Sequence, residues 1–94
     1  MDIQHDRRQG KFFTMMYGEE YSLEYNEVDK NLWEFHCPVL RYNDQEAKSI
    51  NDSLIEYGLF YLKRNNIKLL ENGSCMQVKE FLENKKELEV LVQH

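Results

Sequence analysis

Across residues 20–26 apolar and polar positions alternate strictly: Tyr21, Leu23 and Tyr25 fall on one side, Ser22, Glu24 and Asn26 on the other. A period of two predicts a half-buried β-strand. Residues 11–17 (KFFTMMY) form a shorter apolar strand candidate, closed by Gly18. After a polar connector at 27–31, a third strand is predicted over 32–39. It sets Trp33, Phe35, Cys37 and Val39 on one face, with Glu34 and His36 on the other. Pro38, the chain's one proline, has no N–H for a ladder and belongs at an edge, a bulge or a strand end. Residues 1–10 are polar, show neither period and read as a loose leader.

Beyond a polar connection at 40–49 the period changes. Ser49, with Asp52 three residues on, fits a helix start. Ile50, Leu54, Tyr57 and Tyr61 recur at helical spacing, widened by Ile55, Leu59 and Leu62. The helix is expected to stop near Asn65 and Asn66, since asparagine tolerates the left-handed cap conformation. Residues 67–70 (IKLL) are a buried strand candidate. Ser74 and Gln77 then have capping-box spacing. This predicts a second helix over 75–84 that buries Val78, Phe81 and Leu82. Leu88, Val90, Leu91 and Val92 form a last apolar patch, a short strand or a docked tail. The order is β-β-β-α-β-α, with a possible final strand and no repeat or linker. A strand reached through a helix runs parallel to its neighbour by a right-handed crossover. The expected fold is therefore α+β: one domain over 11–94, a mixed, mostly antiparallel sheet with two helices.

The composition fits one folded domain. The chain has 94 residues, 41% of them apolar and 13% aromatic, and a formal net charge of −5. An acidic balance disfavours phosphate-backbone binding, so no nucleic-acid partner is expected. No apolar run approaches the ~20 residues of a membrane span. Residues 1–10 lack the apolar core of a signal peptide, and two cysteines are too few for a disulfide scaffold. The expected location is the cytoplasm, with reduced thiols. The aromatic set Phe12, Phe13, Tyr17, Tyr21, Tyr25, Trp33 and Phe35 is assigned to core and sheet surface rather than to a stacking platform.

Candidate chemistry centres on Cys75 and His36. Cys75 sits at the first position of the second helix, where unpaired amides and the helix dipole favour a thiolate. It is a candidate nucleophile or acyl carrier; the plainer alternative is a small buried hydrophobe at a strand–helix turn. His36 is a candidate general base or a partner that polarises the thiol; the plainer alternative is a half-exposed strand histidine bonded to a neighbour. Cys37 points away from His36 on a regular strand. His36, Cys37 and Cys75 therefore lack the fourth ligand and the common face of a metal site, and no metal is expected.

Several of these pieces, in order, resemble the short single-domain branch of the GNAT N-acetyltransferase superfamily. Phe35-His36-Cys37-Pro38-Val39 stands where that branch ends a strand in a His-Thr-x-Val pattern. Residues 54–62 resemble its long helix, residues 66–70 followed by Ser74-Cys75 its strand and cysteine, and residues 81–88 with Leu91-Val92 its tail. The resemblance implies acetyl-CoA as co-substrate and a small-molecule or protein amine as acceptor; the aromatic strands leave monomer or homodimer open. It implies catalytic roles for Cys75 and His36. It also implies cofactor contacts at Val39 and Leu40 and at Ala47, Lys48, Ser49, Ile50 and Asn51. In the family a glycine-rich loop opens the long helix, and its bare amides hold the diphosphate. Here residues 46–51 read EAKSIN: no glycine, and a carboxylate whose repulsion of a diphosphate is worth roughly 1 kcal/mol near a surface. Two functions follow: an acetyl-CoA-dependent N-acetyltransferase, or a catalytically impaired relative that keeps the scaffold as a binding module.

Overall fold

The computed structural model describes residues 1–36, 45–70, 76–84 and 92–93. Its elements are β1 (Gln4–Asp6), β2 (Lys11–Met16), β3 (Glu19–Asp29), β4 (Leu32–His36), α1 (Gln45–Arg64), β5 (Lys68–Leu70), α2 (Met76–Asn84) and β6 (Val92–Gln93). The six strands lie in one sheet in the order of the sequence. β1 to β4 pair antiparallel, whereas β4–β5 and β5–β6 pair parallel. The α+β class with a mixed sheet and two helices is thus as expected, with one strand more at the front.

That strand overturns the reading of residues 1–10 as a loose leader. Gln4, His5 and Asp6 pair with Phe13, Phe12 and Lys11. The connecting turn is built by Asp6, whose Oδ1 accepts from the amides of Arg8 and Gln9 at 3.0 and 3.1 Å. Gly10, at φ 75°, closes it by donating to Asp6 O at 2.9 Å. An aspartate side chain that mimics a turn, followed by a left-handed glycine, is a local signal independent of hydrophobic period.

The β2–β3 hairpin turns on Tyr17 and Gly18, both at positive φ (55° and 74°), as a two-residue turn matched to strand twist requires. β3 is longer than its alternating segment: Glu27, Val28 and Asp29 continue it into an exposed ribbon with β4. Its register slips by one residue between Glu27 and Asp29, a bulge that leaves Val28 exposed.

Helix α1 starts at Gln45, so Ser49 lies in its second turn and is not the cap. The physical reason is burial. Ala47 extends the apolar stripe of Ile50, Leu54, Ile55, Leu59 and Leu62 by a turn toward the N-terminus. Tyr57, expected on that stripe, instead stands 41% exposed at its margin. At the far end Asn66 adopts the left-handed cap (φ 54°), as the paired asparagines predict. Ile67 N then donates to Leu62 O at 2.9 Å. α1 lies on β2, β3 and β5 and touches α2. Phe12, Leu23, Tyr25, Trp33, Phe35 and Leu69 from the sheet join the α1 stripe and Val78 and Phe81 of α2 in one core. Gly58 is the point of closest approach: a Cβ there would lie 3.0 Å from Leu23 and 3.1 Å from Phe35.

β1 is held by more than its ladder. His5 Nε2 lies 2.6 Å from the Tyr25 hydroxyl, and its ring centre is 4.4 Å from that of Phe12 and 4.8 Å from that of Tyr61. Burial, then the neighbouring Arg7 charge, pushes the imidazole below its ordinary pKa of 6.5, against the weaker pull of Asp6. Burial, with Tyr61 and Glu27 nearby, raises the Tyr25 phenol above 10.0. Both shifts favour a neutral pair in which the hydroxyl donates to the imidazole. The linkage sign follows: the unfolded chain binds this proton more readily, so stability present above pH ~6.5 is lost as pH falls through the lower folded value. Denaturant titrations at pH 7 and pH 5 are expected to show this loss in the native chain and a smaller loss in His5→Gln. An equal loss in both would contradict the assignment.

Candidate functional site

The parallel unit β4–α1–β5 organises the candidate site. The chain leaves the sheet at His36, enters α1 at Gln45 and returns along it to β5, whose Lys68 and Leu69 pair with Leu32 and Trp33. The N-terminal turn of α1 therefore belongs to the end of the unit at which β4 finishes. That end, outside the carboxyl termini of parallel strands, is where open α/β sheets place their ligands.

His36 is the last residue of β4. Strand alternation puts Trp33 and Phe35 in the core under α1, and Glu34 and His36 on the opposite face. There His36 Nε2 lies 2.9 Å from Asn26 Nδ2 and 3.2 Å from Glu34 Oε1. One nitrogen serves one partner at a time. The neutral imidazole with its proton on Nδ1 accepts from the Asn26 amide, and a ring carrying a proton on Nε2 donates to Glu34. Asn26 pairs with Glu34 across the β3–β4 ladder, so both partners are fixed by the hairpin. Sequence reasoning named neither. The available signal was the period of two that puts residues 34 and 36 on one face; the β3 partner needs the register.

The inferred cofactor segment divides within the helix. Ala47, Ile50 and Asn51 turn inward and are buried, whereas Lys48 and Ser49 are exposed. Only the first turn of an α-helix has amides without intrahelical partners. The amides of Ser49, Ile50 and Asn51 lie past that turn and are committed to the helix. The expected loop at 46–51 is thus helix, because Ala47 and Ile50 are core. Among the described residues one buried side-chain polar atom has no hydrogen-bond partner: Nδ2 of Asn51, a residue only 7% exposed. Leaving such a donor unpaired costs about 1–3 kcal/mol.

His36 and the inward side of α1 lie on opposite faces of the sheet. Cys75, Val39 and Leu40 lie outside the described residues, as does Cys37. Among the described residues no group of three or more histidine, cysteine or acidic side chains can hold a metal ion. No described helix is long and apolar enough to cross a membrane. Comparison with protein families, with curated proteins and with solved structures gives no match.

Proposed function

We propose that this chain is a small GNAT-like acyltransferase that takes acetyl-CoA and passes the acetyl group to an amine. The observation that carries this reading is the unpaired Asn51 donor, buried in the helix segment where the resemblance puts the cofactor. A buried N–H with no protein acceptor suits a ligand carbonyl or phosphate oxygen. The amides at the start of α1 and the Lys48 ammonium supply the remaining attraction for a diphosphate. Acetyl-CoA brings an activated thioester; the chain's own residues position it and handle the proton. In this scheme His36, oriented by Asn26 and Glu34, accepts the proton of the attacking amine at the end of β4. Cys75 is the candidate acyl carrier.

A second reading has its own observation. With no glycine in residues 46–51, Cβ atoms crowd the approach of a diphosphate, and Glu46 in the first turn of α1 repels it. On this reading the scaffold is a catalytically impaired binding module.

Thermal melting with millimolar acetyl-CoA separates the two. A ligand that binds only the folded state raises the melting temperature by mass action. Glu46→Gln removes the repulsion, worth roughly 1 kcal/mol, and is expected to tighten acetyl-CoA about fivefold. A rise in melting temperature with release of free CoA thiol in the presence of amines supports the transferase. No rise for either the native chain or Glu46→Gln contradicts the transferase and supports the module, which has lost the diphosphate loop; a rise without thiol release contradicts the transfer step.

A further inference from the structure

The opposite end of α1 carries a second site. Two adjoining concavities of about 660 and 690 Å³ share Tyr57 and Tyr61 as their common wall. The first continues over Phe60, Arg64 and Asn65; the second runs along β1 and its turn through His5, Arg7 and Arg8. Together they form a trough across the seam between the edge strand and the last turns of α1. Its wall is aromatic and half solvent-facing, with Tyr57 41% and Phe60 43% exposed.

The charges around it are selective. The chain has four arginines, Arg7, Arg8, Arg41 and Arg64, and carries a net charge of −5. Three of the four line this trough, whereas no lysine does among the described residues. Arginine is the side chain suited to this chemistry: its planar fork binds carboxylate or phosphate through two bonds and lies flat on aromatic rings. The groups that would oppose an anion are partly occupied. The Asp6 carboxylate is held by the amides of Arg8 and Gln9. The carbonyls at the negative end of α1 are bonded too: Tyr61 O by Asn65 N and Nδ2, Leu62 O by Ile67 N, and Lys63 O by Asn66 N. A volume of this size suits a small organic ligand.

We propose that this trough binds a small aromatic anion, a planar ring bearing a phosphate or carboxylate. The ring lies on Tyr57 and Tyr61, and the anionic group is held by Arg7 and Arg8 at one end or Arg64 at the other. The site does not depend on acetyl transfer, since it lies about 20 Å along α1 from the helix start at a rise of 1.5 Å per residue.

The test is a titration followed by amide NMR of the full chain, with phenyl phosphate, benzoate, AMP, inorganic phosphate and phenol as separate probes. Phenyl phosphate is expected to bind in the millimolar range or tighter and to shift residues 5–8 and 57–65. Inorganic phosphate and phenol, each half of the ligand, are expected to bind more weakly. AMP tighter than benzoate identifies a nucleotide as the natural source; the reverse identifies an aromatic acid. Arg7→Gln/Arg8→Gln and Arg64→Gln, with native spectra elsewhere, are expected to weaken the phenyl phosphate interaction, the tighter-binding end by about tenfold. Lys63→Gln, next to the trough but not lining it, is expected to leave it unchanged. No shifts with phenyl phosphate, equal binding of inorganic phosphate and phenyl phosphate, or unaltered binding in both arginine variants would overturn the proposal.

Discussion

Phe12→Ala is expected to cost about 3–5 kcal/mol, the range for deleting a fully buried phenyl ring. Phe12 is fully buried and sits where β1, β3, β4 and α1 converge. Its ring centre lies 4.4 Å from that of His5, 5.4 Å from Tyr25, 5.5 Å from Tyr61, 5.6 Å from Tyr57 and 6.4 Å from Phe35. All five pairs are tilted or edge-on, the arrangements in which ring quadrupoles attract. The cavity left behind borders five rings held by the sheet and the helix, so the site cannot collapse cheaply. A domain of this size has only about 5–15 kcal/mol in total. The melting temperature should therefore fall by roughly 12–40 °C. Trp33, stacked on Tyr25 at 4.0 Å, reports the transition by its fluorescence. A loss below about 1 kcal/mol would mean that Phe12 is not at the centre of the core.

Gly10→Ala is expected to cost about 2–3 kcal/mol, through two effects that a control separates. Gly10 has φ 75°, and a Cβ there would lie 2.9 Å from the Tyr25 carbonyl oxygen, a backbone atom that cannot swing aside. Gly10 O also accepts from Tyr25 N at 2.8 Å, so moving the turn would break a bond to β3. Gly18 has nearly the same φ, 74°, but nothing within 4 Å of its would-be Cβ. Gly18→Ala should therefore show only the left-handed strain, about 1 kcal/mol. Denaturant curves for the two variants measure the difference. Equal losses would show that the Tyr25 contact carries no weight.

These two residues also mark what the sequence reveals and what it hides. Tyr21, Leu23 and Tyr25 alternate because one face of β3 is buried, and Leu54, Ile55, Leu59 and Leu62 recur because one stripe of α1 is; burial writes a period into the chain. β1 carries no such period. It has three polar or half-polar residues at a sheet edge, and its stability comes from the ladder, the Asp6 turn and one histidine ring. The end of β3 is hidden for the same reason: Glu27, Val28 and Asp29 face solvent, and only backbone bonds make them strand. The start of α1 is hidden because Ser49 and Asp52 match a cap locally, while the burial of Ala47 is a tertiary fact. At the site, His36 was legible as a polar residue on the outer face of its strand. Asn26 and Glu34 as its partners were not, since cross-strand neighbours exist only once register is set. Arg64 is far in the chain from Arg7 and Arg8, and only the pairing of β1 brings them to one trough.

The proposed seat of acetyl-CoA, at the start of α1 beside the end of β4, can be checked by titrating acetyl-CoA into isotopically labelled protein and following the backbone amides and the Asn51 side-chain amide. Shifts are expected at His36 and over residues 45–51, with a large displacement of the Asn51 Nδ2 protons as they acquire an acceptor. An undisturbed Asn51 side chain and a silent α1 N-terminus at saturating ligand, whether the remaining signals stay still or move only in the arginine-lined trough, would contradict it.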